Sequence, residues 1–262
     1  MKNLKQILVA ILVLTSIYSC KKDEQKDILS KETISAKWVV NGTSDYKSFE
    51  FNKSGNYIVV KSATTKSTND VIVLFGTYDI IDKTTIVLSD FGTLKISEIN
   101  DNSITFSFKL TSNPDNEINI IATKQKEMQN STKTELLCRT WEMVTVNGED
   151  VVGTDMELTV LFSSAGTYFV SYAIPEDGND GGLAQWKWKD ETETKLLYSW
   201  DEIPVWDEED YVEIPELTSN KLKIIEDEDT YVLQPVSNTK SAIIKTSKNL
   251  SNRIMKSGFF KK

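Results

Sequence analysis

The sequence predicts an all-β protein that contains two consecutive small antiparallel β-barrels, each built as a meander of short strands. Apolar and polar residues alternate over short runs, which is the pattern of half-buried strands. Glycine, asparagine and proline turn signals separate these runs. Four sequence blocks also recur in the same order in the two halves of the 262-residue chain. Two β-sandwiches remain the alternative architecture.

The repeated blocks define two copies of one unit. Trp38 opens the first copy and Trp141 opens the second. The other three pairs of blocks are Phe51-x-x-x-Gly55-x-Tyr57 with Phe162-x-x-x-Gly166-x-Tyr168, Ile96-x-Glu98-Ile99-x-x-Asn102-x-Ile104-x-Phe106 with Ile214-x-Glu216-Leu217-x-x-Asn220-x-Leu222-x-Ile224, and Ile120-Ile121-x-Thr123 with Ile243-Ile244-x-Thr246. The offset between the copies grows along the chain, so the second copy carries longer loops.

The first copy divides into eight short strands. In order, they are predicted around Trp38, Phe49, Ile58, Val73–Tyr78, Ile86, Leu94–Ile99, Ile104–Phe108 and Ile118–Thr123. Turns are predicted at Asn41-Gly42, Ser54-Gly55, Asn113-Pro114-Asp115, Asn147-Gly148 and Gly178–Gly182, and a solvated acidic turn at Glu226–Asp229. A meander of this kind can close on itself and remove its exposed edges. A small eight-stranded barrel is either filled by side chains or holds one small ligand.

The large aromatic residues of the repeated blocks are expected to form the two cores. In Phe-x-x-x-Gly-x-Tyr, two inward aromatic side chains flank a tight turn in which glycine can adopt a positive φ. Each opening tryptophan is expected to plug one end of its own barrel, because large aromatic residues usually carry core burial. The predicted core residues are Trp38, Phe51, Tyr57, Tyr78, Trp141, Phe162 and Tyr168.

The N-terminal segment has the features of a secretory signal. Lys2 and Lys5 precede an apolar run from Ile7 to Leu14, which is too short for a permanent membrane span. The segment ends in Ile17-Tyr18-Ser19-Cys20, which resembles the bacterial lipobox, although Tyr18 occupies a position that usually holds a small residue. The resemblance implies that residues 1–19 are removed and that Cys20 carries a lipid anchor.

On these residues the chain resembles the lipocalin-like domains that occur, often in tandem, in Bacteroidota lipoproteins. The opening tryptophans, the two Phe-x-x-x-Gly-x-Tyr hairpins and Gly76-x-Tyr78 carry the resemblance, with Trp186-x-Trp188 standing roughly where the second copy should repeat Gly76-x-Tyr78. The expected segments are a signal peptide at 1–19, the lipidated cysteine and a linker at 20–33, barrels at 34–125 and 136–247 joined by 126–135, and a basic tail at 248–262.

The resemblance also implies a lipid-anchored protein of the bacterial outer membrane. Lys22-Asp23-Glu24 is similar to the short export signal of surface lipoproteins in that phylum. An ordinary solvated linker explains the same three residues equally well, so a periplasmic and a surface orientation both stay open.

Composition excludes several classes of function. The chain has no histidine, which removes Ser-His-Asp and Cys-His nucleophiles and histidine-containing zinc sites. Its net charge of −9 argues against nucleic acid as a partner. Asp177 to Gly182 resembles a calcium loop, but a plain glycine-rich turn is favoured because the spacing is one residue short. We therefore expect no metal, no cofactor and no catalytic residues, and we expect Cys138 to be a small buried hydrophobe.

A segment rich in tryptophan and carboxylates is the candidate binding site. Its aromatic residues are Trp186, Trp188, Trp200, Trp206 and Tyr211. Flat rings beside carboxylates are typical of sugar binding, whereas an acidic hairpin with its tryptophans packed on the barrel is the alternative. The leading function is a non-enzymatic module that binds a small apolar ligand, a glycan or a protein partner. The rivals are an assembly lipoprotein with filled barrels and a glycan-active hydrolase that uses second-copy carboxylates.

Overall fold

A computed structural model describes residues 29–62, 71–176, 179–201, 203–236 and 248–251 of the chain. Two consecutive closed, antiparallel, eight-stranded barrels account for nearly all of these residues. The predicted all-β class and the tandem barrels are therefore confirmed, and the architecture is consistent with tandem lipocalin-like domains. Closure excludes the alternative of two open β-sandwiches.

The first barrel is an up-and-down meander. Each strand pairs with the next one, and the last strand returns to the first. The strands are β1 (Lys37–Val40), β2 (Tyr46–Phe51), β3 (Asn56–Ser62), β4 (Val71–Ile80), β5 (Thr85–Leu88), β6 (Gly92–Ile99), β7 (Ser103–Leu110) and β8 (Asn113–Lys124). Each of the eight strands predicted for this copy is present in its predicted order.

The second barrel repeats the meander and is closed by the pair β9–β17. Its strands are β9 (Thr140–Val146), β11 (Leu158–Phe162), β12 (Thr167–Glu176), β13 (Asn179–Trp188), β14 (Lys195–Ser199), β15 (Tyr211–Leu217), β16 (Leu222–Glu226) and β17 (Asp229–Pro235). The two-residue strand β10 (Glu149–Asp150) forms a hairpin on β9. Asn147 and Gly148 both have positive φ in this hairpin, which suits the predicted two-residue turn.

The Phe-x-x-x-Gly-x-Tyr blocks form the predicted hairpins. Phe51 pairs with Tyr57 across β2 and β3, and Phe162 pairs with Tyr168 across β11 and β12. The turn glycines, Gly55 and Gly166, have φ values of 89° and 81°. These values lie in the region that favours glycine, so the spacing of the block is set by the backbone of the turn.

Two of the predicted turns lie elsewhere. Asn113 pairs with Leu110, so the β7–β8 turn is at Thr111 and Ser112 and the following proline lies near the start of β8. Proline is tolerated there because few ladder hydrogen bonds are lost at a strand end. The predicted turn at Gly178–Gly182 is also misplaced, because β13 already begins at Asn179. Asp177 and Gly178 lie outside the described residues.

Each barrel is preceded by a short helix that the apolar pattern of the sequence does not predict. Helix α1 (Lys31–Ile34) and helix α2 (Thr132–Leu137) begin after the N-cap residues Ser30 and Ser131. Their common signal is Ser-x-x-Thr, in which the serine side chain accepts a hydrogen bond from the threonine N–H. Too few residues separate this signal from the first strand for a helical period to be visible.

Each helix holds the opening tryptophan of its barrel. Trp38 Nε1 donates to the carbonyl of Ile34 at 2.9 Å, and Trp141 Nε1 donates to the carbonyl of Leu137 at 2.9 Å. Both tryptophans are at most 1% exposed. The indole therefore satisfies its single donor on the helix end while its ring enters the barrel core.

The two barrels pack on each other through a mixed seam. Phe75 and Phe169 stack across the seam with ring centroids 4.7 Å apart. Beside this apolar contact, Thr167 donates to Glu50 at 2.6 Å, and Gln125 Nε2 donates to the carbonyl of Ala165 at 2.8 Å. The apolar seam residues are Ile58, Val60, Val73, Phe75, Leu161 and Phe169.

A strand near the C-terminus returns to the first barrel. Strand β18 (Lys248–Ser251) pairs antiparallel with Ile72–Phe75 of β4. The short β5 pairs only with Tyr78–Ile80 of the same β4 edge, so β18 covers the part that β5 leaves unpaired. All four residues of β18 belong to the segment predicted as a basic tail, 248–262, and the block at Ile243–Thr246 lies outside the described residues.

Candidate functional site

Strand pairing shows which interior positions of the two barrels are equivalent. Trp38 pairs with Phe49 in the first barrel, and Trp141 pairs with Val160 in the second. Registers and repeated blocks together match Tyr46 with Leu158, Phe49 with Val160, Phe106 with Ile224 and Phe108 with Glu226. At all four positions, an aromatic ring in the first barrel is replaced by an aliphatic or charged side chain in the second.

Aromatic rings pack together throughout the first interior. The ring centroid of Tyr46 is 4.8 Å from that of Phe108 and 5.6 Å from that of Phe49. Phe49 meets Phe106 edge to face at 5.0 Å, and Phe91 stacks on Phe108 at 5.9 Å. These are favourable separations for aromatic pairs. All five rings are buried, so this interior is occupied by its own side chains.

The second barrel instead contains a cavity of about 820 Å³ at one mouth. It lies at the end of β9 far from α2, and Val146, the last residue of β9, contributes to its wall. The buried side chains that line it are Met143, Val151, Leu158, Tyr172 and Tyr231. Its volume lies in the range of small-molecule sites, and the cavity is partly open to solvent.

Carboxylates surround the outer part of this cavity. They belong to Glu149, Asp150, Asp155 and Asp229. Neutral groups hold two of them in place: Asp150 accepts from the N–H of Val152 at 2.9 Å, and Asp229 accepts from Asn147 Nδ2 at 2.8 Å. The Tyr231 hydroxyl lies 3.4 Å from the other carboxylate oxygen of Asp229. Hydrogen bonds from neutral donors thus hold the carboxylates of Asp150 and Asp229 in place.

Glu226 brings a carboxylate into the second barrel. The sequence predicts a solvated turn at Glu226–Asp229, and that prediction is wrong for Glu226, which is 6% exposed. Leu222, Ile224 and Glu226 alternate along β16, so all three point inward. The Tyr198 hydroxyl lies 3.4 Å from Glu226 Oε1 and 3.1 Å from Asp210 Oδ1.

Four tyrosines in this interior are kept protonated. Burial raises the pKa of Tyr168, Tyr172, Tyr198 and Tyr231, and the Glu226 carboxylate adds to the increase at all of them except Tyr172. The ordinary pKa of tyrosine is already near ~10. These hydroxyls therefore act as hydrogen-bond donors at neutral pH and not as bases or nucleophiles.

Among the predicted ligand-binding residues, Trp186 lies in the core. Ala184 pairs with Tyr168 as Gly76 pairs with Tyr57, so Trp186 corresponds to Tyr78. Trp186 Nε1 donates to the carbonyl of Ser163 at 3.1 Å, and Tyr78 donates to the equivalent carbonyl of Asn52 at 2.8 Å. Only 1% of Trp186 is exposed, which leaves almost none of its ring to meet a ligand.

Two further tryptophans pack against the outer part of the same core. Trp188 is edge-on to Trp186 at 5.5 Å, and its Nε1 donates to Thr134 of α2 at 2.9 Å. Trp200 meets Tyr168 edge-on at 5.6 Å. Both tryptophans are partly buried. Both tryptophans thus contact aromatic residues of the core. Their role in ligand binding stays a prediction.

Trp206 and Tyr211 lie beneath lysine side chains. Lys187 Nζ is 4.9 Å from the Trp206 ring centroid, and Lys189 and Lys195 lie 4.3 and 4.1 Å from that of Tyr211. These are cation–π contacts. Each of these two rings thus contacts lysine ammonium groups, and neither ring lines the cavity. A sugar would compete with the lysines for the ring faces.

Cys138 lies at a second cleft, of about 530 Å³, between the barrels. Burial raises the pKa of its thiol to about 12, and the carboxylates of Glu50 and Glu127 add to the increase. A thiol with such a pKa is protonated at neutral pH and is a poor nucleophile. Glu50 in this cleft is bound to Thr167 of the other barrel, so the cleft belongs to the seam.

Comparison with known proteins found no matching family model and no matching curated sequence. Among the described residues, neither short helix has the length and hydropathy needed to cross a membrane. Within the same ranges, no group of three or more His, Cys, Asp or Glu residues could hold a metal ion. Cys20, the segment 1–19 and most of the basic tail lie outside the described residues.

The burial of Trp186 and the partial exposure of Trp206 lead to a stability prediction. Trp186→Ala should lower the free energy of unfolding by about 3–5 kcal/mol, because it empties a core position. Trp206→Ala removes a surface ring under one lysine and should cost about 1 kcal/mol or less. Urea unfolding followed by far-UV circular dichroism measures both. Similar losses in the two variants would contradict the placement of Trp186.

Proposed function

We propose that the protein is a non-enzymatic binding module that holds a small apolar ligand in the mouth of its second barrel. The observation that carries this proposal is the cavity of about 820 Å³ among Met143, Leu158 and Tyr172. Apolar surface gains about 25 cal/mol per Å² when a ligand removes it from water. In this proposal the first barrel, whose interior is occupied by its own aromatic rings, supports the second barrel and binds no ligand.

The proposal includes a lipid anchor at Cys20. Its support is the short apolar run at Ile7–Leu14 that ends in a lipobox-like sequence, together with an acidic mature chain that folds as tandem barrels. In this proposal the lipid anchors the protein to the bacterial outer membrane, and the second barrel binds its ligand from the surrounding solution.

A structural or assembly role is the second candidate. It is favoured by the loop between β14 and β15, where Ile203 is 82% exposed and Val205 is 68% exposed. Two exposed apolar side chains on one surface loop are suited to contact with another protein. This role uses the loop, whereas ligand binding uses the barrel mouth, so variants can separate the two.

Filling the cavity should abolish ligand binding. Val151 is 4% exposed and lines the cavity, so Val151→Trp should place a ring where the ligand lies. We expect the affinity of residues 21–262 for the neutral probe N-phenyl-1-naphthylamine to fall about tenfold or more, equivalent to about 1.4 kcal/mol. Probe fluorescence measures the change.

Val152→Trp is the matched control for this experiment. Val152 is the next residue and is 46% exposed, so the same substitution there should leave probe binding unchanged. Circular dichroism should confirm that both variants are folded. If the wild type does not bind the probe, or if Val151→Trp binds it as well as Val152→Trp does, ligand binding at this mouth is disproved.

The anchor is tested separately. Cys20→Ser should abolish incorporation of an alkynyl fatty acid in cells and release the protein from the membrane fraction, because the thiol that accepts the lipid is lost. Cys138→Ser is the control and should keep the label, since Cys138 is partly buried and its thiol is protonated. Equal labelling of wild type and Cys20→Ser would refute the lipoprotein assignment.

A further inference from the structure

We infer that the ligand of the second barrel carries a positively charged head on its apolar body, as an alkylammonium does. This inference rests on the proposed function, since it assigns a chemical class to the ligand of the same cavity. Three features support it: the sign of the charges at the mouth, the side chains just inside, and the apolar wall below them.

The first feature is the sign of the charge. The four charged side chains among the described residues that line the cavity are all carboxylates, from Glu149, Asp150, Asp155 and Asp229. Several charges of one sign at a partly enclosed mouth focus the field and raise the local concentration of the opposite charge. They also disfavour a ligand with an anionic head, such as a fatty-acid carboxylate.

The second feature is the interior behind this rim. Tyr172 and Tyr231 line the cavity, and both rings are at most 4% exposed. A tyrosine hydroxyl that reaches the cavity can accept a hydrogen bond from an ammonium group. Glu226 lies deeper, at the position of Phe108 in the first barrel, and its carboxylate contributes to the raised pKa of Tyr231.

The third feature fixes the other end of the ligand. Met143, Val151 and Leu158 are at most 4% exposed and form a continuous part of the second barrel core. A chain of methylene groups that enters here gains about 0.8 kcal/mol for each buried CH₂. A cation without an apolar body would forgo this gain and would meet only screened charges at the rim.

The test uses three probes that share one alkyl chain: octylammonium, 1-octanol and octanoate. Isothermal titration calorimetry on residues 21–262 at low salt should give the tightest binding for octylammonium and the weakest for octanoate. We expect the affinity for octylammonium to exceed the affinity for octanoate about tenfold, since several exposed charges each contribute modestly to binding. The difference should shrink at high salt, where charges are screened.

Removing rim charges should change selectivity without removing the site. The double variant Glu149→Gln with Asp155→Asn should reduce the difference in affinity between octylammonium and octanoate severalfold. Its affinity for 1-octanol should remain that of the wild type. The matched control, Glu98→Gln with Asp101→Asn, makes the same change of charge at exposed positions of the first barrel and should leave the difference intact.

The outcomes separate the two proposals. If 1-octanol binds but octylammonium binds no tighter than octanoate, the charge inference is overturned and the apolar site stands. If the control variant narrows the difference as much as the rim variant does, the selectivity does not arise at the mouth and the inference is also overturned. If none of the three probes binds, both the inference and the proposed function fail.

Discussion

Closure of each meander into an eight-stranded barrel is the constraint on which the rest of the structure depends. A closed barrel with a given number of strands has an interior of limited size, and inward side chains must fill it or leave a cavity. In both copies the frame is the same: a short helix, a tryptophan held by its indole N–H, and a Phe-x-x-x-Gly-x-Tyr hairpin. Differences between the two interiors therefore arise from side chains at equivalent positions.

Four such positions distinguish the two barrels. Tyr46, Phe49, Phe106 and Phe108 of the first barrel form mutual ring contacts, while Leu158, Val160, Ile224 and Glu226 take their places in the second. Among these replacements, Leu158 lines the cavity, and the Glu226 carboxylate accepts a hydrogen bond from Tyr198. The same duplicated frame thus carries a cluster of rings at these positions in the first copy, and aliphatic side chains and one carboxylate in the second.

Alternation and turn chemistry were enough to predict the eight strands of the first copy and both aromatic hairpins, because these features depend on neighbouring residues. The burial of Trp186 and the partner of β18 depend on which strands pair across the chain, and residue types alone do not specify that register. The inward position of Glu226 can be predicted from the sequence. When the match of Ile104-x-Phe106 with Leu222-x-Ile224 is extended by two residues, Glu226 takes the position equivalent to that of Phe108, inside the barrel.

Methionine-methyl NMR tests the central claim, that the second barrel is hollow at its mouth, most directly. Met143 and Met156 line the cavity, whereas Met128 lies at the seam between the barrels. With methyl-labelled methionine in residues 21–262, titration with 1-octanol should shift the Met143 and Met156 signals and leave Met128 in place. A shift of Met128 alone, or no shift at any of the three, would contradict the account.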